Sequence, residues 1–256
     1  MNFLRISIQS VLGLLIAIGS SPASAADKKN ETAVRALSAD YAECVLGYQN
    51  RVALAREFLV KDLPSESLPK GKFSRLINGE CLVKVAKPEN GIQMTFPGEL
   101  YRYALAGALM RKDFGQTSFT DFSKVPPLQH RPFPVLDETA VPKKKKKADE
   151  FREEYRLAWL DGFMARYAEC VVRRIPQESR DLLASEVASV QEKDNFGVMA
   201  DALSKCMPEG RTIRFGKEML RGSVAVAYYR LADAATKLAA EPAGTAAPLQ
   251  TIPNPD

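Results

Sequence analysis

One stretch of this chain is written twice, and each time it carries a cysteine. Tyr41-Ala42-Glu43-Cys44-Val45 returns unchanged as Tyr167-Ala168-Glu169-Cys170-Val171. A second cysteine follows in each copy, Cys81 37 positions after Cys44 and Cys206 36 positions after Cys170. A further block repeats near the end of each copy. Aligning Phe96 with Phe215 gives six identities in sixteen positions: Phe96/Phe215, Glu99/Glu218, Arg102/Arg221, Ala106/Ala225, Ala108/Ala227 and Arg111/Arg230. A duplicated sequence has to satisfy the same local structure twice, so the chain reads as two tandem copies of one unit.

Residues 1–25 read as a secretory signal peptide. Arg5 is their only charge, an apolar run extends from Val11 to Ile18, and Ala23-Ser24-Ala25 has the small-residue spacing that signal peptidase accepts. Cleavage is expected after Ala25, with Ala26 the alternative. The competing reading is an uncleaved anchor, but a spanning helix needs about 20 apolar residues, and Gly19 and Pro22 interrupt this run. No other segment is apolar enough to span a bilayer. The expected location is therefore the periplasm or the medium.

In an oxidising compartment an even number of cysteines is ordinarily a disulfide set. Four allow three connectivities. The duplication favours Cys44–Cys81 with Cys170–Cys206, so that each copy carries its own staple. The competing pattern, Cys44–Cys170 with Cys81–Cys206, needs the copies packed face to face at both places. Closing a loop of this length restricts the unfolded chain by roughly 3–4 kcal/mol per bond. A metal site is the other use of cysteine, but there is no C-x-x-C, and His130, the single histidine, lies in a proline-rich stretch. No metal and no cofactor are expected.

The formal charge of +5 falls to +4 without Arg5, and Lys143, Lys144, Lys145, Lys146 and Lys147 supply five positive charges by themselves. The basic character is thus local. Such a run is ordinarily a solvated connector, neutralised here by the following Asp149, Glu150, Glu153 and Glu154. Its functional reading is a weak contact with an anionic envelope surface. Nucleic acid is not expected, because no aromatic residue interleaves with the lysines.

Composition divides the chain into residues 26–122 for the first copy, 123–148 for a Pro/Lys-rich linker, 149–241 for the second copy, and 242–256 for a disordered tail. The fold class is all-α, each copy a four-helix unit. Val34, Leu37, Tyr41, Cys44, Val45 and Tyr48 recur at steps of three and four, a buried helical stripe in a helix from Glu31 to about Tyr48. Tyr155, Trp159, Phe163, Tyr167, Cys170 and Val171 repeat it from Glu150 onward. Shorter helices are predicted over Val52–Val60 and Pro176–Ala184, the latter opened by a proline suited to a first turn. The second cysteines sit in helices predicted over Phe73–Val85 and Asn195–Cys206, with Asp194 as a cap. Brief extended segments, Ile92–Phe96 and Thr212–Phe215, precede the last helices, Glu99 to about Phe114 and Lys217 to about Ala240. Small residues in those last helices, Ala104 to Ala108 and Gly222 to Ala227, imply close helix packing.

Glu43, Glu169, Glu99 and Glu218 are the candidates for acid–base chemistry of the glycosidase kind. The bland reading accounts for them better. Glu99 and Glu218 fall in a first helical turn, favourable to the helix dipole, with Arg102 and Arg221 three residues on. All four occur in both copies alike, which suits a fold requirement better than one catalytic pocket. With a single histidine a Ser-His-Asp or Cys-His arrangement lacks parts, and no phosphate-binding or metalloprotease motif occurs. No catalytic residue is assigned. Trp159 and Phe163 read as core. Tyr228 and Tyr229 are adjacent on a helix, so at least one is expected to point away from whatever the other packs against; the functional reading of an exposed tyrosine there is a partner surface, and the bland one is that a single exposed aromatic is ordinary.

The Tyr-Ala-Glu-Cys-Val motif, a second cysteine 36–37 residues later, and Met219-Leu220-Arg221-Gly222-Ser223-Val224-Ala225 together carry a resemblance. The chain resembles a cysteine-paired helical repeat of uncharacterised exported proteins of alphaproteobacteria, over residues 35–111 and 160–231. The second copy matches better; the first has Tyr101-Arg102-Tyr103 where Leu-Arg-Gly would stand. The resemblance implies export and paired cysteines, and no activity. The expectation is an exported interaction or structural module of the cell envelope, its partner an unknown protein or envelope component. An envelope glycan hydrolase or lyase using the glutamates is the alternative.

Overall fold

The computed structural model describes residues 25–61, 69–86, 98–210, 213 and 215–240. The leader ahead of Ala25, the two short extended segments for the most part, and the tail beyond Ala240 lie outside the described residues. Among the described residues the regular structure is all helical. The first copy comprises α1 (Ala25–Leu46), α2 (Gln49–Val60), a 3-10 turn (Gly71–Leu76), α3 (Gly79–Ala86) and α4 (Gly98–Phe114). The second comprises α5 (Lys145–Arg174), α6 (Pro176–Ala184), α7 (Val190–Val198), α8 (Ala200–Cys206) and α9 (Lys217–Ala240).

The disulfides stay within the copies. Cys44–Cys81 joins α1 to α3 and Cys170–Cys206 joins α5 to α8, with Cα atoms 5.7 and 5.9 Å apart. The tyrosine of the repeated motif works beside the cysteine, one turn earlier on the same helix face. The Tyr41 hydroxyl accepts from the Asn78 N–H at 2.7 Å, and the Tyr167 hydroxyl donates to the Leu203 carbonyl at 2.8 Å. Asn78 and Leu203 each lie three residues before the partner cysteine. Tyrosine and cysteine therefore grip one facing turn by a hydrogen bond and a covalent bond, which accounts for the two being duplicated together.

The repeated arginine of the last helix has an equivalent task in each copy. Arg102 donates to the carbonyls of Phe58, Leu59 and Lys61 at 3.4, 3.2 and 2.8 Å. Arg221 donates to those of Leu182, Leu183 and Ser185 at 2.7, 3.2 and 2.8 Å. In both cases these are the carbonyls that end the second helix, which have no partner within it and carry the negative end of its dipole. Spacing alone offered Glu99 and Glu218 as partners; the long-range capping role needed the fold.

The predicted third helix is broken in both copies. Asn78 caps α3 afresh after the 3-10 turn, its Oδ1 accepting the Glu80 and Cys81 N–H groups at 2.8 and 3.4 Å. In the second copy α7 ends at Val198 and α8 begins at Ala200. The cap of α7 is Ser189, whose Oγ accepts the Glu192 N–H at 3.1 Å, so Asp194 lies inside a helix rather than at its start.

The two copies share one core. A single cluster of buried apolar residues runs from Tyr41 in α1 to Ala232 in α9. Its seam is α4 against α9. Tyr103 meets Gly222 and Ser223, while Asp113 and Phe114 meet Tyr229. Contacts that advance together along both helices mean that the two run parallel. The small residues allow the approach: a Cβ built on Gly222 would lie 2.0 Å from Tyr103 Cγ.

The connector is packed rather than free. Its prolines withhold backbone donors and leave carbonyls, and arginines of the second copy take these up. Arg173 donates to Phe122, Val125 and Pro126 at 2.7, 3.0 and 2.7 Å. Arg180 donates to Gly115, Arg230 to Gln129 and Arg166 to Arg131, at 2.7, 2.7 and 2.6 Å. Phe119 and Phe122 pack on Tyr228, and Phe133 stacks on Trp159 at the head of a ladder of rings through Phe163, Tyr167 and Phe215. Tyr228 and Tyr229 are consequently both buried, one under the connector and the other against α4. Neither marks a free surface, because α9 is covered on both sides. The five lysines remain exposed, with Lys145 opening α5 and Lys146 4.0 Å from Glu150.

Candidate functional site

The candidate glutamates are equivalent in sequence and unlike in surroundings. Glu43 is exposed on α1 and pairs with Arg111 of α4 at 2.6 Å. Glu169, at the same repeat position on α5, is 8 % exposed because the connector crosses over it. Its carboxylate accepts the Leu128 N–H at 2.9 Å, the Arg173 Nε–H at 2.8 Å, and His130 Nε2 at 2.5 Å. Burial by itself pushes this carboxyl up; the bonds from His130, Leu128 and Arg173 together outweigh that and bring it down to about 2. Glu169 is thus held as an anion by partners from the connector and from its own helix. The side chain of Glu99 lies outside the described residues, and Glu218 is half-buried at the start of α9.

Two recesses flank the α4–α9 seam, with Tyr103 walling both. They sit at equivalent places in the duplication. One lies between α1, α4 and α9, about 440 Å³, and is lined by Arg35, Ala39, Ala104, Gly107 and Arg111 among others. The other lies between α4, α5, α9 and the connector, about 530 Å³ and open to solvent, where Asp161, Ala165, Ser223, Val226 and Arg230 stand at the corresponding repeat positions.

The recesses differ in how their charges are met. On the α1 side the protein brings carboxylates to its guanidiniums. Glu192 of α7, 3 % exposed, bridges Arg35 at 2.6 Å and Arg221 at 3.1 Å, tying the first helix of one copy to the last helix of the other. Burial pulls Arg221 down to about 10 even so, with the nearby Arg111 and Arg35 adding to the effect, and leaves it charged at neutral pH. On the α5 side the lining holds Arg102, Arg131, Arg166, Arg230 and His130, with Asp161 the one carboxylate among its described residues. Asp161 accepts from Arg131. Arg166 donates to the carbonyls of Gly162 and Arg131 at 2.8 and 2.6 Å and lies 4.3 Å from the centre of the Phe133 ring. His130 is nine-tenths buried, and its Nδ1 is buried with no hydrogen-bond partner.

Sequence reasoning set His130 aside as a loop residue, marked Arg230 only as a repeated position, and did not single out Arg166. Arg230 carried a signal, being one of the repeated positions; His130 and Arg166 carried none, since they have no counterpart in the first copy. Among the described residues no group of three or more His, Cys, Asp or Glu side chains is placed to hold a metal ion. No described helix is long and apolar enough to cross a membrane.

Fold and site together define a duplicated helical protein, stapled once in each copy, with an arginine-lined recess beside its central seam. Compared with family models, curated proteins and solved structures, the chain matches none.

Proposed function

We propose that this chain is an exported protein of the cell envelope, periplasmic in location, that works by binding and not by catalysis. The observation that carries this reading is the state of the repeated glutamates. A glycoside-hydrolysing acid needs a carboxyl whose pKa is raised so that it can give up a proton near neutral pH. Glu169 is driven the other way, to about 2, beside Arg173 and His130, and Glu43 sits against Arg111. Glu169 is occupied in clamping the connector, and Glu43 in an ion pair between α1 and α4. The two disulfides support export, as does the resemblance to cysteine-paired exported repeats.

The test has two arms. Incubating the purified chain with peptidoglycan sacculi should release no soluble fragments; release that Glu169→Gln abolishes would replace binding by hydrolysis. Osmotic shock of the native host should recover the chain in the periplasmic fraction with all four cysteines oxidised. Recovery inside the cell with free thiols would overturn the location.

A further inference from the structure

We propose that Lys143, Lys144, Lys145, Lys146 and Lys147, gathered at the head of α5, dock this protein on an anionic phospholipid surface by charge alone. This names the partner for the binding reading above and rests on its envelope location.

Spacing offered the run as a solvated connector whose charge the next four acids cancel. The geometry places those acids otherwise. Lys143 and Lys144 bend into α5, and Lys145, Lys146 and Lys147 form its first turn, all five exposed. Among the described residues only Glu150 pairs with one of them, 4.0 Å from Lys146, and that lysine is still 90 % exposed. Glu153 is taken by Arg156 at 2.6 Å, and Glu138 of the connector by Arg152 at 3.5 Å. Helical side chains lean toward the N-terminus, so lysines of a first turn reach past the end of the helix. They therefore point away from the acids, which begin about 6 Å along the axis from Lys145 at Asp149. The carboxylates that commonly offset a helix's positive end are missing from that turn. What the pole presents is thus a concentrated positive charge that the fold leaves unmet.

The kind of charge selects the kind of partner. An ammonium is a compact, hydrated point charge that needs no fixed geometry, whereas a single shaped anion calls for the guanidinium fork. Neighbouring ammoniums turned about 100° apart around a helix end suit an array of headgroup phosphates met end-on. A linear polymer would call for charges strung along a groove, and the next cations down α5, Arg152 and Arg156, are already paired. Val141 and Pro142 are half-buried and Ala148 is buried, so no exposed apolar side chain accompanies the lysines into a bilayer. Attachment is superficial and screened by salt.

The experiment is co-sedimentation of the full exported chain with vesicles of phosphatidylcholine, alone or with a third of the lipid as phosphatidylglycerol. At low ionic strength the chain should pellet with the anionic vesicles and stay in solution with the neutral ones, and added salt should release it. The variant Lys143→Gln, Lys144→Gln, Lys145→Gln, Lys146→Gln, Lys147→Gln should lower the apparent affinity by a factor on the order of 100 and leave the thermal midpoint unmoved, since these side chains hold nothing in the fold. A second variant, Lys70→Gln, Lys84→Gln, Lys112→Gln, Lys124→Gln, Lys193→Gln, removes the same charge from scattered exposed positions and should bind nearly as the parent does. No binding to anionic vesicles would overturn the proposal, as would binding that survives high salt or an equal loss in both variants. Retention on sacculi without retention on vesicles would place the partner in the glycan and overturn the lipid assignment. Neither vesicle result turns on fragment release from sacculi, so failure of the partner and failure of the non-catalytic reading are separable.

Discussion

Replacing Gly222 by alanine should destabilise this protein even though alanine is the better helix former. Gly222 lies within α9, where the exchange gains about 1 kcal/mol in helix propensity. Against that, the new methyl would stand 2.0, 2.3 and 2.5 Å from Cγ, Cδ2 and Cβ of Tyr103. These atoms are at the root of the tyrosine side chain. Rotation moves the ring, but Cβ is fixed to the backbone, so α4 and α9 themselves have to separate. Overpacking of this kind costs about 1–3 kcal/mol, and at a seam between two parallel helices the upper part of that range applies. The net loss should be about 1–2 kcal/mol. At about 2–4 °C per kcal/mol for a chain of this size, the midpoint falls by several degrees. The assay is thermal and urea unfolding followed by circular dichroism, with both disulfides intact. The control is the same exchange in a Tyr103→Ala background, where the obstacle is gone and only propensity remains, so alanine should now stabilise. A rise in midpoint on Gly222→Ala alone, or an equal cost in both backgrounds, would refute the packing argument.

Glu169→Gln probes the connector clamp. The folded carboxyl is depressed from its ordinary 4.5 to about 2, so its contribution is fully present above pH about 5 and is lost as pH falls from there toward 2. The shift corresponds to stabilisation on the order of 3 kcal/mol at neutral pH. The gap between the parent and Glu169→Gln should therefore be widest near pH 7 and close by pH about 2, as urea midpoints at several pH values would reveal; a gap that does not change with pH would show that charge is not the cause. Removing the second staple with Cys170→Ser and Cys206→Ser together opens a loop of 36 residues and should cost about 4 kcal/mol in the chain-entropy estimate. Non-reducing peptide mapping of the parent should join Cys44 to Cys81 and Cys170 to Cys206, and an unmoved midpoint in the double variant would defeat the staple argument.

Helices with strong periodicity and clear punctuation were legible. Pro176–Ala184 and Lys217–Ala240 carry the bounds read from sequence, because a proline opens the first and Gly216 and Pro242 bracket the second. The third helix of each copy was not, since its break is decided by tertiary partners. Asn78 ends one segment and caps the next where the Tyr41 hydroxyl meets its N–H, and no local pattern announces that meeting. Tyr228 and Tyr229 misled for a related reason: adjacency on a helix places one side chain outward only if the helix has a free side, and α9 has none here. The candidate site was half legible. The repeat singled out Glu169, Arg221 and Arg230. His130 became part of it only when the connector folded back over α5.

By itself the sequence determined the duplication and the helical class and favoured the pairing of cysteines within each copy, because these follow from short-range spacing and from what a repeated unit has to do twice. Only the tertiary structure decided that the copies fuse along α4 and α9 into one core, and that a proline-rich connector becomes a strap. It also decided that two glutamates of identical local sequence have different surroundings. The physical reason is that burial and charge are set by whatever lies opposite a side chain. Across the seam and under the connector, those neighbours come from parts of the chain that spacing does not link.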